Sequence, residues 1–241
     1  MLIDGYDQFY NDWISVSERY PQLLLCSDST YSQIRGYLDI IDAHGTLVDT
    51  YELMIRPQDS YPNSFPLVYE IGGKIPKNID WHVFESDGHL CIATWPVEKL
   101  RCSEDFTLGS FIEQDLKPYL FNQTYRRIQG YFLHDRAHGF YGEWQEYQDT
   151  FKTANPIKII SLLDYILKRN EPIRVADCFC GSSLKYRKCH RDTFRRLNKL
   201  SDNVLMEMRK RIIASNQFQA AYSKFSVRQR LSSLGMQPKL K

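Results

Sequence analysis

The chain has 241 residues, 43% of them hydrophobic and 25% charged, which is the composition of an ordinary globular protein and excludes a collagen-like or disordered chain. No stretch approaches the roughly 18 consecutive apolar residues of a membrane helix, so neither a membrane span nor a membrane partner is expected. The net charge of +2 hides a split: residues 1–177 carry 16 Lys+Arg against 26 Asp+Glu, and residues 178–241 carry 15 against 3. So sharp a division predicts two parts with different partners, or two parts that attract each other.

The first residues, MLIDGYDQFYNDW, are acidic and lack the basic stretch of a secretory leader. Three of the six cysteines fall between Cys178 and Cys189, which suits a metal site in a reducing compartment better than a disulfide framework. A cytoplasmic location is therefore expected. Residues 4–20 place Tyr6, Phe9, Tyr10, Trp13, Ile14 and Val16 at helical spacing, with Asp4 available as an N-cap and Pro21 past the end. From Tyr31 to Pro57 the pattern turns toward period two, and QIRGYLDIID and TLVDTYELMIR flank Ala43-His44-Gly45 as a hairpin. A third strand, LVYEIGG, follows Pro66. Thr94-Trp95-Pro96 ends the extended region, and residues 106–121 read as a helix interrupted near Pro118. Asn155-Pro156 marks a boundary ahead of a strongly apolar helix at 157–168. Residues 191–234 form one long or two shorter amphipathic helices, and the tail QPKLK is expected to be mobile.

Two stretches carry chemistry. Between Tyr61 and Cys91 a proline-rich turn leads through an apolar segment to His82, an Asp-Gly turn and Cys91, a setting for a positioned thiol. This stretch resembles the ubiquitin-conjugating enzyme superfamily. Tyr61, Pro62, Pro66 and Val68 match its proline segment, with Phe65 in place of the first paired proline. His82 matches its histidine, and Gly88-His89-Leu90-Cys91 its cysteine signature. The family's His-Pro-Asn reads His82-Val83-Phe84 here, so the asparagine that helps stabilise the oxyanion is missing. The gap from His82 to Cys91 is one residue shorter than in the eukaryotic enzymes. Both departures, and the histidines and glycines at 134–142, look like the bacterial branch found in anti-phage operons such as CBASS and in ubiquitin-like conjugation operons.

The resemblance implies an α+β fold: an N-terminal helix, an antiparallel β-meander and C-terminal helices. It also implies a protein C-terminus held as a thioester on Cys91 and passed to an amine. The modifier would be a ubiquitin-like protein or a nucleotidyltransferase C-terminus, charged with or without a separate activating enzyme. His82 and His138 are the further candidate catalytic residues, His138 as a group that orients or deprotonates the amine. In place of the asparagine, backbone N–H groups near Gly88-His89 or the His82 side chain would serve as oxyanion donor. Cys102 is a second thiol in the region that nothing marks as reactive.

The second stretch is CFCGSSLKYRKCH at 178–190. Cys178, Cys180, Cys189 and His190 supply three thiolates and an imidazole, the ligand set of a closed structural zinc site. It closely resembles the SEC-C motif, Cys-x-Cys-Gly-Ser-x-x-x-Tyr-x-x-Cys-His, at every signature position. Around it Lys185, Arg187, Lys188, Arg191, Arg195 and Arg196 make a basic surface for an acidic protein, a nucleic acid or the acidic first part. SEC-C motifs are mostly protein adaptors and no interleaved aromatics suggest base stacking, so a protein partner ranks ahead of nucleic acid. The expected organisation is a ubiquitin-conjugating-like domain at 1–155, a connecting helix at 156–177, the zinc motif at 178–190 and a basic helical segment at 191–241. The competing reading is a non-catalytic adaptor of the same architecture that binds protein partners.

Overall fold

The structure, a computed structural model, describes residues 5–27, 32–135 and 137–233. Asp4, the expected N-cap, and the tail QPKLK lie outside the described residues. The protein is α+β, and the chain divides into two compact units, residues 1–138 and 139–241.

In the first unit, helix α1 (Gly5–Val16) turns Phe9, Trp13 and Val16 into the core, while Tyr10 and Ile14 of the same aromatic stretch face solvent. A four-stranded antiparallel meander follows in the order β1 (Leu23–Ser27), β2 (Ser32–Ile41), β3 (Leu47–Arg56) and β4 (Leu67–Glu70). Strand β1 was not expected from the sequence, because LLLC is a continuous apolar run without alternation and a short run does not tell strand from helix. The β2–β3 turn forms at Ala43-His44-Gly45, where the Asp42 carboxylate accepts the N–H groups of His44 and Thr46 at 2.8 and 2.9 Å. Gly36 is required on β2: a Cβ there would stand 2.0 Å from the Gln22 carbonyl oxygen, at a φ of +140° that side chains rarely adopt.

One face of the sheet buries Leu23, Ile34, Leu38, Ile40, Tyr51, Leu53, Ile55 and Val68. Against it lies a helical rod made of α3 (Leu108–Phe111), a π turn (Ile112–Leu116) and α4 (Lys117–Gln129). The expected break at Pro118 is instead this π turn. Proline lacks an N–H and its ring crowds the carbonyl four residues back, and widening the preceding turn lets the helix continue. A capping box starts the rod, with Ser110 N–H donating to Thr107 Oγ1 at 3.1 Å and Thr107 N–H to Ser110 Oγ at 3.0 Å. Asp12 ties three parts together: its Oδ2 accepts the Tyr61 hydroxyl of the proline segment and, at 3.0 Å, the N–H of Leu108. Phe65 stacks on Phe106 with 5.3 Å between ring centroids. Between β4 and the rod, α2 (Trp95–Cys102) begins at the Trp95-Pro96 pair.

The second unit contains α5 (Gly139–Phe151), α6 (Pro156–Ile166), α7 (Arg191–Leu197), α8 (Asp202–Ala214) and α9 (Asn216–Ser233). Residues 139–155, read from sequence as the end of a 1–155 domain, include helix α5, which clusters with the second compact unit. It belongs here because Glu143 pairs with Arg211 of α8 at 2.9 Å, and the Thr150 carbonyl accepts the Thr193 hydroxyl at 2.9 Å. Its buried Trp144, Tyr147 and Phe151 add to the apolar faces of α6 and α8. Residues 191–234 give three helices where one or two were expected. The added break is the Leu200-Ser201 junction, where Ser201 caps α8 through the Val204 N–H.

Candidate functional site

The segment from Trp81 to Cys91 is a tight hairpin held to the edge of the meander. Asn78 caps a short 3-10 turn (Ile79–Trp81) by accepting the Trp81 N–H, and His82 then takes a left-handed φ of +52° that redirects the chain. Val83 bridges Leu90, and His89 bridges Tyr69 of β4. Val83 and Leu90 are both buried, so period-two alternation sends His89 and Cys91 to the opposite side of the hairpin from Leu90. The Cys91 N–H donates to the His82 carbonyl at 2.7 Å, and the same carbonyl accepts the Tyr119 hydroxyl at 2.9 Å. Gln123 Nε2 donates to the Trp81 carbonyl at 2.8 Å, so α4 holds the strand that enters the hairpin from below.

Cys91 is half-buried and its thiol has no hydrogen-bond partner among the described residues. Burial pushes it above the usual thiol value, and the carboxylate of Glu98 pushes it further. Cys102 is driven up to about 12, by burial first and Glu98 next, so it is the less reactive thiol. His82 and Cys91 are linked through backbone, and no imidazole bonds the Cys91 sulfur, so they do not form a thiolate–imidazolium pair among the described residues. The His82 ring packs 4.4 Å from that of His138 and 4.9 Å from Phe132, with Nε2 at 3.4 Å from Asp135 Oδ1. Burial, then the neighbouring His138, holds His82 below the usual histidine value. His138 Nδ1 is buried with no hydrogen-bond partner.

The backbone donors expected near Gly88-His89 are taken. Gly88 N–H donates to the Phe84 carbonyl at 2.8 Å, and His89 N–H to Asp87 Oδ1 at 3.3 Å. A tight hairpin satisfies the amides of Gly88, His89 and Cys91 itself, the last on the His82 carbonyl. Three residues beyond Cys91, the hydroxyl of Thr94 is buried without a hydrogen-bond partner among the described residues. Glu98 and Tyr119 are neighbours of the thiol that sequence reasoning missed. Glu98 lies on α2, which Trp95-Pro96 hid by reading as a terminator. A proline in the first turn is also a helix-start signal, and that signal would have found it.

In the second unit Cys178, Cys180, Cys189 and His190 come together, with all four ligand atoms within 4.8 Å of one another, and they could hold a metal ion. Cys178 Sγ to His190 Nδ1 is 3.5 Å and Cys180 Sγ to Cys189 Sγ is 3.6 Å. These approach the edges of a tetrahedron built on metal–sulfur and metal–nitrogen bonds of about 2.3 and 2.0–2.1 Å, roughly 3.8 and 3.6 Å. His190 Nε2 lies 3.0 Å from the Phe151 carbonyl, the second-shell contact that fixes a ligating imidazole with Nδ1 toward the ion. The knuckle closes by a bridge between Asp177 and Lys185 and a reversal at Gly181, whose φ is +73°. Tyr186, fully buried, and Phe179, stacked 4.3 Å from Tyr165, fasten it to the helices of its unit. Of the basic residues around it, Lys185 pairs with Asp177 at 2.9 Å and Arg195 with Glu171 at 2.7 Å. Arg187, Lys188 and Arg196 are exposed and make no ion pair among the described residues.

No family model, curated protein or solved structure matches the chain. Among the described residues no helix is long and apolar enough to cross a membrane.

Proposed function

We propose that this chain is a ubiquitin-conjugating-like transferase that carries a protein C-terminus as a thioester on Cys91 and passes it to an amine. The observation that carries the reading is the hairpin itself: Leu90 and Val83 are sunk in the core, and Cys91 stands on the other side beside the His82 turn. It sits on a helix-then-meander arrangement in the order the family resemblance implies. Burial and Glu98 penalise a charged thiolate but not an uncharged thioester, so the pocket favours the acylated state over the ionised one. When an amine attacks, the C–N bond forms, the C–S bond breaks, and the sulfur leaves as thiolate. In this reading the Glu98 charge, which acts on the thiol, attracts the incoming amine, and Thr94 or His82 donates to the oxyanion.

In this reading Cys178, Cys180, Cys189 and His190 hold a structural zinc ion, since four protein ligands leave no position for water. The zinc knuckle serves to dock a protein target. Ile173, Val175 and Leu184, all exposed, lie on the two paired segments of the knuckle among Arg174, Arg187 and Lys188. The modifier is a ubiquitin-like protein or a nucleotidyltransferase C-terminus, and the setting is bacterial anti-phage defence. A second reading, a non-catalytic adaptor, is favoured by one observation: the Cys91 thiol is pushed away from its reactive form and has no base bonded to it. Intact mass spectrometry of the protein co-expressed with its gene neighbours separates the two. A reductant-sensitive protein adduct absent from Cys91→Ala supports the transferase. Metal-loaded protein that captures partners without an adduct supports the adaptor.

A further inference from the structure

The hairpin carries a second built feature that the sequence motif does not assign. His89 Nδ1 lies 2.7 Å from Asp87 Oδ1, and the same carboxylate oxygen also accepts the His89 N–H. The left-handed φ of Gly88, +88°, folds the two residues onto each other. The ring is clamped by Phe84, stacked 4.1 Å away, and by the edge of Tyr69 at 6.4 Å. Burial would raise Asp87, but the hydrogen bonds from the His89 ring and amide outweigh it and hold the carboxyl below the usual range. An ionised carboxylate only accepts, so a neutral His89 must keep its proton on Nδ1 and leave the Nε2 lone pair open. No hydrogen bond to Nε2 occurs among the described residues.

His89 and Cys91 flank the buried Leu90 and project to one side, with Cα atoms about 6.6 Å apart for two residues of extended chain. An acyl group on Cys91 would therefore leave the hairpin on the same side as the imidazole. We propose that His89, oriented by Asp87, is the catalytic base that accepts the proton of the amine attacking the Cys91 thioester. This rests on the transferase reading. As the C–N bond forms, the nitrogen gains positive charge and its N–H becomes acidic. Nε2 takes that proton, the C–S bond breaks, and the imidazolium returns the proton to the departing thiolate or to water. Asp87 is a positioning residue that fixes the tautomer.

The test uses the full-length, metal-loaded protein acetylated on Cys91 with p-nitrophenyl acetate, the position confirmed by peptide mass spectrometry, and ethanolamine as the amine. Aminolysis of acetyl-Cys91 should fall on the order of 100-fold in His89→Ala, the low end of general-base effects, and free imidazole should restore it. His89→Gln keeps a side chain that can donate to Asp87 but no base. It serves as the fold control, and it should be as slow as His89→Ala. Asp87→Asn should fall less and keep the dependence on His89. Equal aminolysis in wild type and both His89 variants, with wild type still faster than a free acetyl thioester, overturns the role of His89 and leaves the transferase standing. Wild-type aminolysis no faster than the free thioester overturns both. Slow variants that imidazole does not rescue reduce His89 to a structural part of the turn and also overturn the proposal.

Discussion

Replacing His190 with alanine tests the proposed zinc site through two losses that the geometry separates. One ligand of four disappears, and the Phe151 carbonyl loses its partner at 3.0 Å in a setting where His190 is 5% exposed. Small zinc modules gain about 10–16 kcal/mol from the ion, so an even share for one ligand of four is roughly 2.5–4 kcal/mol. Leaving a buried carbonyl unpaired costs about 1–3 kcal/mol more. The sum, roughly 3.5–7 kcal/mol, is comparable with the whole stability of a typical domain, about 5–15 kcal/mol. His190→Ala should therefore lose its metal and unfold the 176–197 knuckle under conditions where β2 and β3 remain intact. Metal analysis by mass spectrometry together with segment-resolved hydrogen exchange reads both. One equivalent of tightly held zinc in the variant, with unchanged protection at 176–197, would refute the reasoning.

Glu98→Gln should lower the Cys91 thiol value and speed its alkylation by iodoacetamide at pH 8, since a lower value leaves more of the thiol as thiolate. An unchanged rate would mean that Glu98 does not act on that sulfur. Asp49 is buried and would be raised by burial. Hydrogen bonds from Lys74 at 2.6 Å and Thr124 at 2.9 Å, the Thr50 amide and the charge of Arg127 hold it below the usual carboxylate value instead. A depressed folded value adds stability that is fully present above the unfolded value of about 3.9 and is lost as pH falls through the folded one. Asp49→Asn should cost about 2–3 kcal/mol near neutrality, less than a fully buried pair because Lys74 and Arg127 are 39% and 36% exposed, and should flatten the acid limb of a urea-denaturation series. An acid limb identical to wild type would contradict this.

Alternation made β2 and β3 legible from the sequence, because one face of each strand is core and the other is solvent. The same logic failed at β1, whose uniform LLLC run has no period, and at α2, where Pro96 reads equally as an end or a beginning. At the candidate metal site the spacing of Cys178, Cys180, Cys189 and His190 was enough, since short loops force the four side chains together. The thiol site was only half legible. Cys91, His82 and His138 are named by sequence, but the contact between the two histidines is a packing contact, like that of Phe132 on the His82 ring, between residues some 50 positions apart. Glu98, Tyr119 and the engaged amides of Gly88 and His89 follow from packing and hairpin closure, neither of which a linear motif encodes.

The central claim is acyl transfer through Cys91, and the most direct measurement compares wild type with Cys91→Ser, each co-expressed with its gene neighbours. A thioester on sulfur becomes an oxyester on oxygen. The account predicts a protein adduct that thiol reductant removes from wild type, and one that resists reductant but yields to mild alkali in Cys91→Ser, with the modified peptide containing residue 91 in both. An adduct of unchanged lability, an adduct mapped to another residue, or none in wild type would contradict it.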